Sequence, residues 1–116
     1  MKKIDWTLWQ YALLDDITGV QKALTAGANP NAQNRNRWTV FHNMALVDRV
    51  ACIPVLLAVG ADPTLQDQQG QTAADMAIQH HHQEWAETFQ MAQQGRTLGL
   101  YRRIAYWVKR QQRQQR

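Results

Sequence analysis

The chain has 116 residues, is 45% hydrophobic and 19% charged, and carries a formal net charge of +4. That composition suits one globular domain with a modest core and excludes an intrinsically disordered chain. Residues 1–95 hold six Lys/Arg against nine Asp/Glu, net −3, whereas residues 96–116 hold seven Lys/Arg and no acid, net +7, so the basic character belongs to a C-terminal segment. Cys52 is the only cysteine, which rules out an internal disulfide and a thiolate metal cluster. The apolar stretch 51–61 contains Pro54 and Gly60 and is too short to span a bilayer. With no apolar run among the first residues to serve as an export signal, the expected setting is cytoplasmic.

In chain order, Trp6, Leu8, Tyr11 and Ala12 fall on one face of a first helix, and Ile17, Val20, Ala23 and Leu24 on one face of a second. A third helix opens at Thr39 and carries Phe41, Met44 and Ala45 at i, i+3 and i+4. Asp48 reads as the N-cap of a fourth helix bearing Val50, Cys52, Ile53, Leu56 and Leu57, which Gly60 ends. Pro54 lies within that segment and predicts a kink or a late helix start. A fifth helix is expected from Thr72 to about Gln79, then a turn at His80-His81-His82 and a sixth helix from about Gln83 to Ala92. Ala74, Ala77, Ile78, Trp85, Ala86 and Phe89 form the apolar face of that pair.

These pairs repeat with a period of thirty-three residues. Gly27-Ala28-Asn29-Pro30 recurs as Gly60-Ala61-Asp62-Pro63, Thr39 as Thr72, and Ala23-Leu24 as Leu56-Leu57. A fixed period of this size signals stacked supersecondary units, none able to bury its own apolar face alone. The units fall at about 1–33, 34–66 and 67–95, followed by a basic segment over 96–116. In that segment Tyr101, Ile104, Ala105 and Val108 lie on one stripe of an amphipathic helix. The fold class that follows is all-α, a short solenoid of three units with this last helix as a cap.

Over residues 5–92 the chain resembles the ankyrin-repeat family. Thr39-Val40-Phe41-His42 matches that family's Thr-Pro-Leu-His motif with Val for Pro, and Thr72-Ala73-Ala74-Asp75-Met76-Ala77 matches its Thr-Ala-x-Asp-Leu-Ala variant. Leu56-Leu57-Ala58-Val59-Gly60-Ala61-Asp62 and Asp67-Gln68-Gln69-Gly70-Gln71-Thr72 match its helix end and its turn. The resemblance implies a solenoid that binds other proteins through a concave face. It also implies that Asp15, Asp48 and His81 replace the glycine between paired helices, and that Arg37 replaces one in a turn. His42 then ties down a neighbouring turn and does not act as a catalytic base.

By matching position, the concave face takes Arg35, Asn36, Trp38, Leu46 and Val47 from the second unit and Gln68, Gln69, Gln71, Gln79 and His80 from the third, with Leu13 and Leu14 from the first. Trp and Arg are enriched in binding hot spots. The competing reading packs Trp38, Leu46 and Val47 within the protein. Small stand-alone proteins of this type resemble bacterial adaptor and toxin-immunity proteins, which implies a partner protein, a toxin or effector, occluded by that face, and a monomer when free. The alternative is a nucleic-acid or acidic-surface contact through Arg102, Arg103, Lys109, Arg110 and Arg113.

Chemistry is not called for. His80-His81-His82 point in different directions and lack a completing ligand set for a metal. The pairs Asp15-Asp16 and Glu84 with Glu87 suit helix caps and solvated faces. There is no phosphate loop and no nucleophile elbow. The sequence predicts a noncatalytic protein without a cofactor.

Overall fold

A computed structural model describes residues 1–93. Six helices follow one another: α1 (Lys3–Leu13), α2 (Ile17–Thr25), α3 (Val40–Val47), α4 (Ile53–Ala58), α5 (Ala73–Gln79) and α6 (Gln83–Gln93). No strand occurs among the described residues. The first helices of the three units stack side by side, α1 on α3 and α3 on α5, while α4 meets α6 along the other layer. The expected helix cap over 96–116 lies outside the described residues.

The thirty-three-residue period is visible in the backbone bonds. The amides of Asp16, Arg49 and His82 donate to the carbonyls of Tyr11, Met44 and Ala77 at 2.9, 2.9 and 2.8 Å. Each is the 6→1 bond that closes a helix whose next residue is left-handed. Those left-handed residues are Asp15, Asp48 and His81, with φ of 57°, 56° and 59°. Asp and His tolerate this region better than most side chains, so the turn persists without glycine.

Asp48 therefore closes α3, and does not cap α4 as its residue type suggested; Cys52 stands at the N-cap of α4 and Pro54 in its first turn. The proline delays the helix and does not kink it, because a first-turn position needs no amide donor. A second correction concerns the first unit. Lys2 caps α1, with Asp5 at the third helical position accepting the Lys2 amide at 3.1 Å. The helix runs from Lys3, and Trp6, expected on its apolar face, is 46% exposed while Trp9 is buried. A third is Ile78, expected on the apolar face of α5 and found 66% exposed. Its counterparts one and two periods earlier, Ala45 and Ala12, are sealed beneath the next unit.

The core runs unbroken through the stack. Leu8, Ala12, Val20 and Leu24 of the first unit join Val40, Phe41, Met44, Ile53, Val55 and Leu56 of the second and Ala77, Trp85 and Phe89 of the third. Leu56 is fully buried; its neighbour Leu57 is partly so. Phe41 meets Phe89 edge-on at 5.6 Å and Trp85 at 6.5 Å, and Trp85 stacks on Phe89 at 4.8 Å. Such ring pairs add specificity of fit to the area they bury and lock the third unit to the second.

Polar staples also link the units. Asn31 accepts the Asp62 amide at 2.6 Å and donates to the Gly60 carbonyl at 3.2 Å. His82 Nδ1–H donates to the Ala45 carbonyl at 2.6 Å. Buried His42 accepts the Thr39 amide on Nδ1 at 3.0 Å and donates from Nε2 to the Gln71 carbonyl at 2.8 Å. Its ring is thus held as one tautomer between two turns, the structural role that the Thr-x-x-His motif implies.

Candidate functional site

Two turns, residues 34–38 and 67–71, project from the stack as adjacent fingers built on the same plan. Asn34 Oδ1 accepts the amides of Asn36 and Trp38, each at 2.9 Å. Asp67 Oδ1 accepts the amides of Gln69 and Gln71, also at 2.9 Å. A backbone bond closes each finger, Asn34 N–H to the Trp38 carbonyl at 3.0 Å and Asp67 N–H to the Gln71 carbonyl at 2.9 Å. Both need a left-handed residue, supplied by Gly70 in the third unit and, at a steric cost, by Arg37 in the second.

The fingers are joined to one another. The Gln68 amide donates to the Asn36 carbonyl at 3.0 Å and its side chain to the Arg35 carbonyl at 2.7 Å. Gln33 reaches from its own finger to the Gln66 carbonyl at 3.4 Å. The Gln side chains of this face are therefore partly engaged in holding the fingers in register, which fixes the surface before any partner arrives.

Between the fingers and the inner helices lies a depression of about 310 Å³, lined by Asn36, Trp38, Leu46, Asp67, Gln68, Gln69, Gln71, Met76, Gln79 and His80. The structure thus gathers around one hollow all but two of the concave-face positions named from the second and third units. Arg35 and Val47 are exposed but do not line it. Leu13 is half-buried against the core and Leu14 is 73% exposed away from the hollow. Trp38 and Leu46 are half-buried: each packs on the protein with part of its surface and lines the hollow with the rest. Gln71 Nε2 donates to Gln79 Oε1 at 2.7 Å across the rim.

Asp67 and Met76 line the hollow although neither was picked out as a contact residue. The signals were present. Met76 lies one helical turn before Gln79 and so shares its face, and Asp67 opens the finger that supplies Gln68, Gln69 and Gln71. The positions Arg102, Arg103, Lys109, Arg110 and Arg113 lie outside the described residues.

The other candidate groups are engaged elsewhere. Asp16 caps α2 through the Gly19 amide at 2.9 Å, and Asp15 pairs with Arg49 at 3.5 Å. Glu87 accepts from Gln83 at 2.7 Å. His80 and His82 stack at 6.1 Å, and no group of His, Cys, Asp and Glu suited to a metal ion occurs among the described residues. Burial pushes the Cys52 thiol up to about 12, with the Asp15 and Asp16 carboxylates adding to the effect; a thiol held protonated in this way is a packing group, not a nucleophile. Among the described residues no helix is long and apolar enough to cross a membrane.

Comparison with known proteins agrees with this architecture. Residues 8–95 match the family model for ankyrin repeats (3 copies). Among curated proteins the chain is similar to the ankyrin repeat and LEM domain-containing protein 1 homolog of Caenorhabditis elegans, 33% identical over 101 residues, which is 84% of this chain and 14% of that protein. It is also similar to the mitochondrial disaggregase of Bos taurus, 35% identical over 77 residues, 64% of this chain and 11% of that protein. The human mitochondrial disaggregase is 36% identical over 63 residues, 54% of this chain and 9% of that protein. The chain therefore spans no more than about a seventh of the length of these relatives.

Proposed function

The chain belongs to the ankyrin-repeat family, whose repeats are protein–protein interaction modules, and from that premise we propose that it binds a partner protein through the hollow between its fingers and inner helices. The observation that supports this is the composition of the hollow. Trp38, Leu46 and Met76 offer apolar surface, surrounded by the amides of Asn36, Gln68, Gln69, Gln71 and Gln79. An aromatic anchor within a rim of hydrogen-bonding groups is the arrangement in which a few residues dominate binding energy. The family is generally noncatalytic, and most of the acids, with His42 and His82, are engaged in caps, turns and inter-unit bonds, which favours a binding role over an enzymatic one.

In its finer form the proposal is an inhibitor or immunity role. The protein, monomeric when free and cytoplasmic, occludes a toxin or effector by laying its concave face over the partner's working surface. Residues 1–95 are acidic, net −3, and suit a basic partner surface. The competing reading, a nucleic acid or acidic surface held by the basic segment 96–116, makes the opposite demand.

The test is capture of the partner from the native host with the wild-type chain and with Trp38→Ala side by side, then titration of the captured protein. Trp38→Ala is expected to weaken binding by about 2 kcal/mol or more with the fold intact. Neutralising the Arg residues of 96–116 is expected mainly to slow association at low salt. Full affinity for Trp38→Ala, with binding abolished by charge removal and falling steeply with log salt, would refute the concave-face reading and support the nucleic-acid one.

A further inference from the structure

The two fingers perform the same structural task with different atoms. In the second unit the turn is held by Asn34, a neutral carboxamide, whose Oδ1 takes two amides at 2.9 Å. In the third the equivalent residue, one period on, is Asp67, whose Oδ1 takes the two equivalent amides at the same 2.9 Å. The finger therefore does not require a negative charge. Asp67 is 6% exposed, and burying a carboxylate costs more than burying an amide unless the charge is used. Its second oxygen makes no hydrogen bond among the described residues, yet it is not among the side-chain atoms sealed from solvent without a partner. The residue lines the hollow beside Trp38.

Resting on the reading of this hollow as the partner-binding face, we propose that it receives an arginine side chain of the partner. Asp67 supplies the one carboxylate of the lining, and the amide oxygens of the neighbouring Gln and Asn residues supply further acceptors. A guanidinium carries five donors in a planar fork and pairs well with a carboxylate. Trp38 adds an indole, the aromatic group that attracts cations best. At about 310 Å³ the hollow stands at the small end of ligand sites, which fits a side chain and not a dinucleotide or other large cofactor.

The adjacent finger also provides the clean variant. Asp67→Asn keeps the oxygen that holds the turn, as Asn34 does, and removes only the charge. The probes are Nα-acetyl-arginine amide, the lysine equivalent and the citrulline equivalent, which keeps the shape of arginine without its charge. Each is titrated into the ¹⁵N-labelled full chain while the Trp38 indole and Gln71 and Gln79 side-chain signals are followed. Arginine amide is expected to shift these signals saturably, lysine amide more weakly, and citrulline amide about tenfold or more weakly than arginine. Asp67→Asn is expected to lose the same factor for arginine while keeping the wild-type unfolding midpoint. Equal binding of arginine and citrulline, lysine preferred over arginine, unchanged arginine binding by Asp67→Asn, or no saturable shift at the hollow would each overturn the assignment. None of these results touches the effect of Trp38→Ala on a captured partner, so the broader proposal stands or falls separately.

Discussion

Gly19, inside α2, is set against the ring of Tyr11 from α1. A Cβ built on it would lie 2.6 Å from Tyr11 Cε1 and closer still to Cδ1 and Cγ. Carbon atoms in comfortable contact stand about 3.5–4.0 Å apart, so Gly19→Ala forces a retreat of about 1.5 Å, by that spacing. The ring cannot yield by spinning about its own axis, because Cγ is itself too close; either χ1 leaves its well or the two helices part. Overpacking of this kind costs about 1–3 kcal/mol. Against it stands the intrinsic preference of a helix for Ala over Gly, worth about 1 kcal/mol. The steric term wins, and Gly19→Ala is expected to destabilise the protein by about 1 kcal/mol, a fall in Tm of about 4–8 °C for a domain of this size. Urea unfolding followed by far-UV circular dichroism measures it. The decisive comparison is the same substitution on a Tyr11→Ala background, where the obstacle is gone and Gly19→Ala should stabilise by about 0.5–1 kcal/mol. A stabilising Gly19→Ala in the wild-type chain, or the same effect on both backgrounds, would refute the reasoning.

Leu56→Ala is expected to cost about 2–5 kcal/mol in denaturant unfolding, since Leu56 is fully buried, and more than Leu57→Ala, whose side chain is only partly covered. His42→Ala leaves the Gln71 carbonyl and the Thr39 amide without their partner and should lower stability by about 3 kcal/mol in the same assay. Asp48→Gly should raise it by about 0.5–1 kcal/mol, because Asp48 is left-handed with φ of 56° and its Oδ1 is buried without a hydrogen bond among the described residues. Cys52, raised from 9.0 to about 12 by burial and then by Asp15 and Asp16, keeps its proton in the folded state over a range where the unfolded chain releases it. Stability should therefore be insensitive to this group below pH 9 and fall as pH rises from 9 towards 12. Urea midpoints across that range should decline less steeply for Cys52→Ala, and native Cys52 should resist alkylation at neutral pH.

The period of thirty-three residues carried the fold. Repeated spacing is a property of the chain itself, and three matching helix-and-turn patterns leave few architectures that bury all their apolar faces. The positions requiring a left-handed backbone were also legible, because Asp15, Arg37, Asp48 and His81 stand at register positions where a glycine belongs, and all four have positive φ. What local pattern could not fix was how far each helix runs and which side of it another unit covers. Asp48 has the chemistry of an N-cap, but the 6→1 bond from Arg49 to Met44 makes it the end of the helix before. Trp6 stands two residues from Leu8, nearly opposite it on a helix, and is exposed, while Ile78 lies in the third unit, on the counterpart of a face that is buried at Ala12 and Ala45. The hollow shows the same division. The resemblance to ankyrin repeats, carried over position by position, implied a shared face for most of its residues. Only the stacking of two fingers side by side brought Asp67 and Met76 into the wall between them, because contact across units depends on side-chain packing that no single repeat contains.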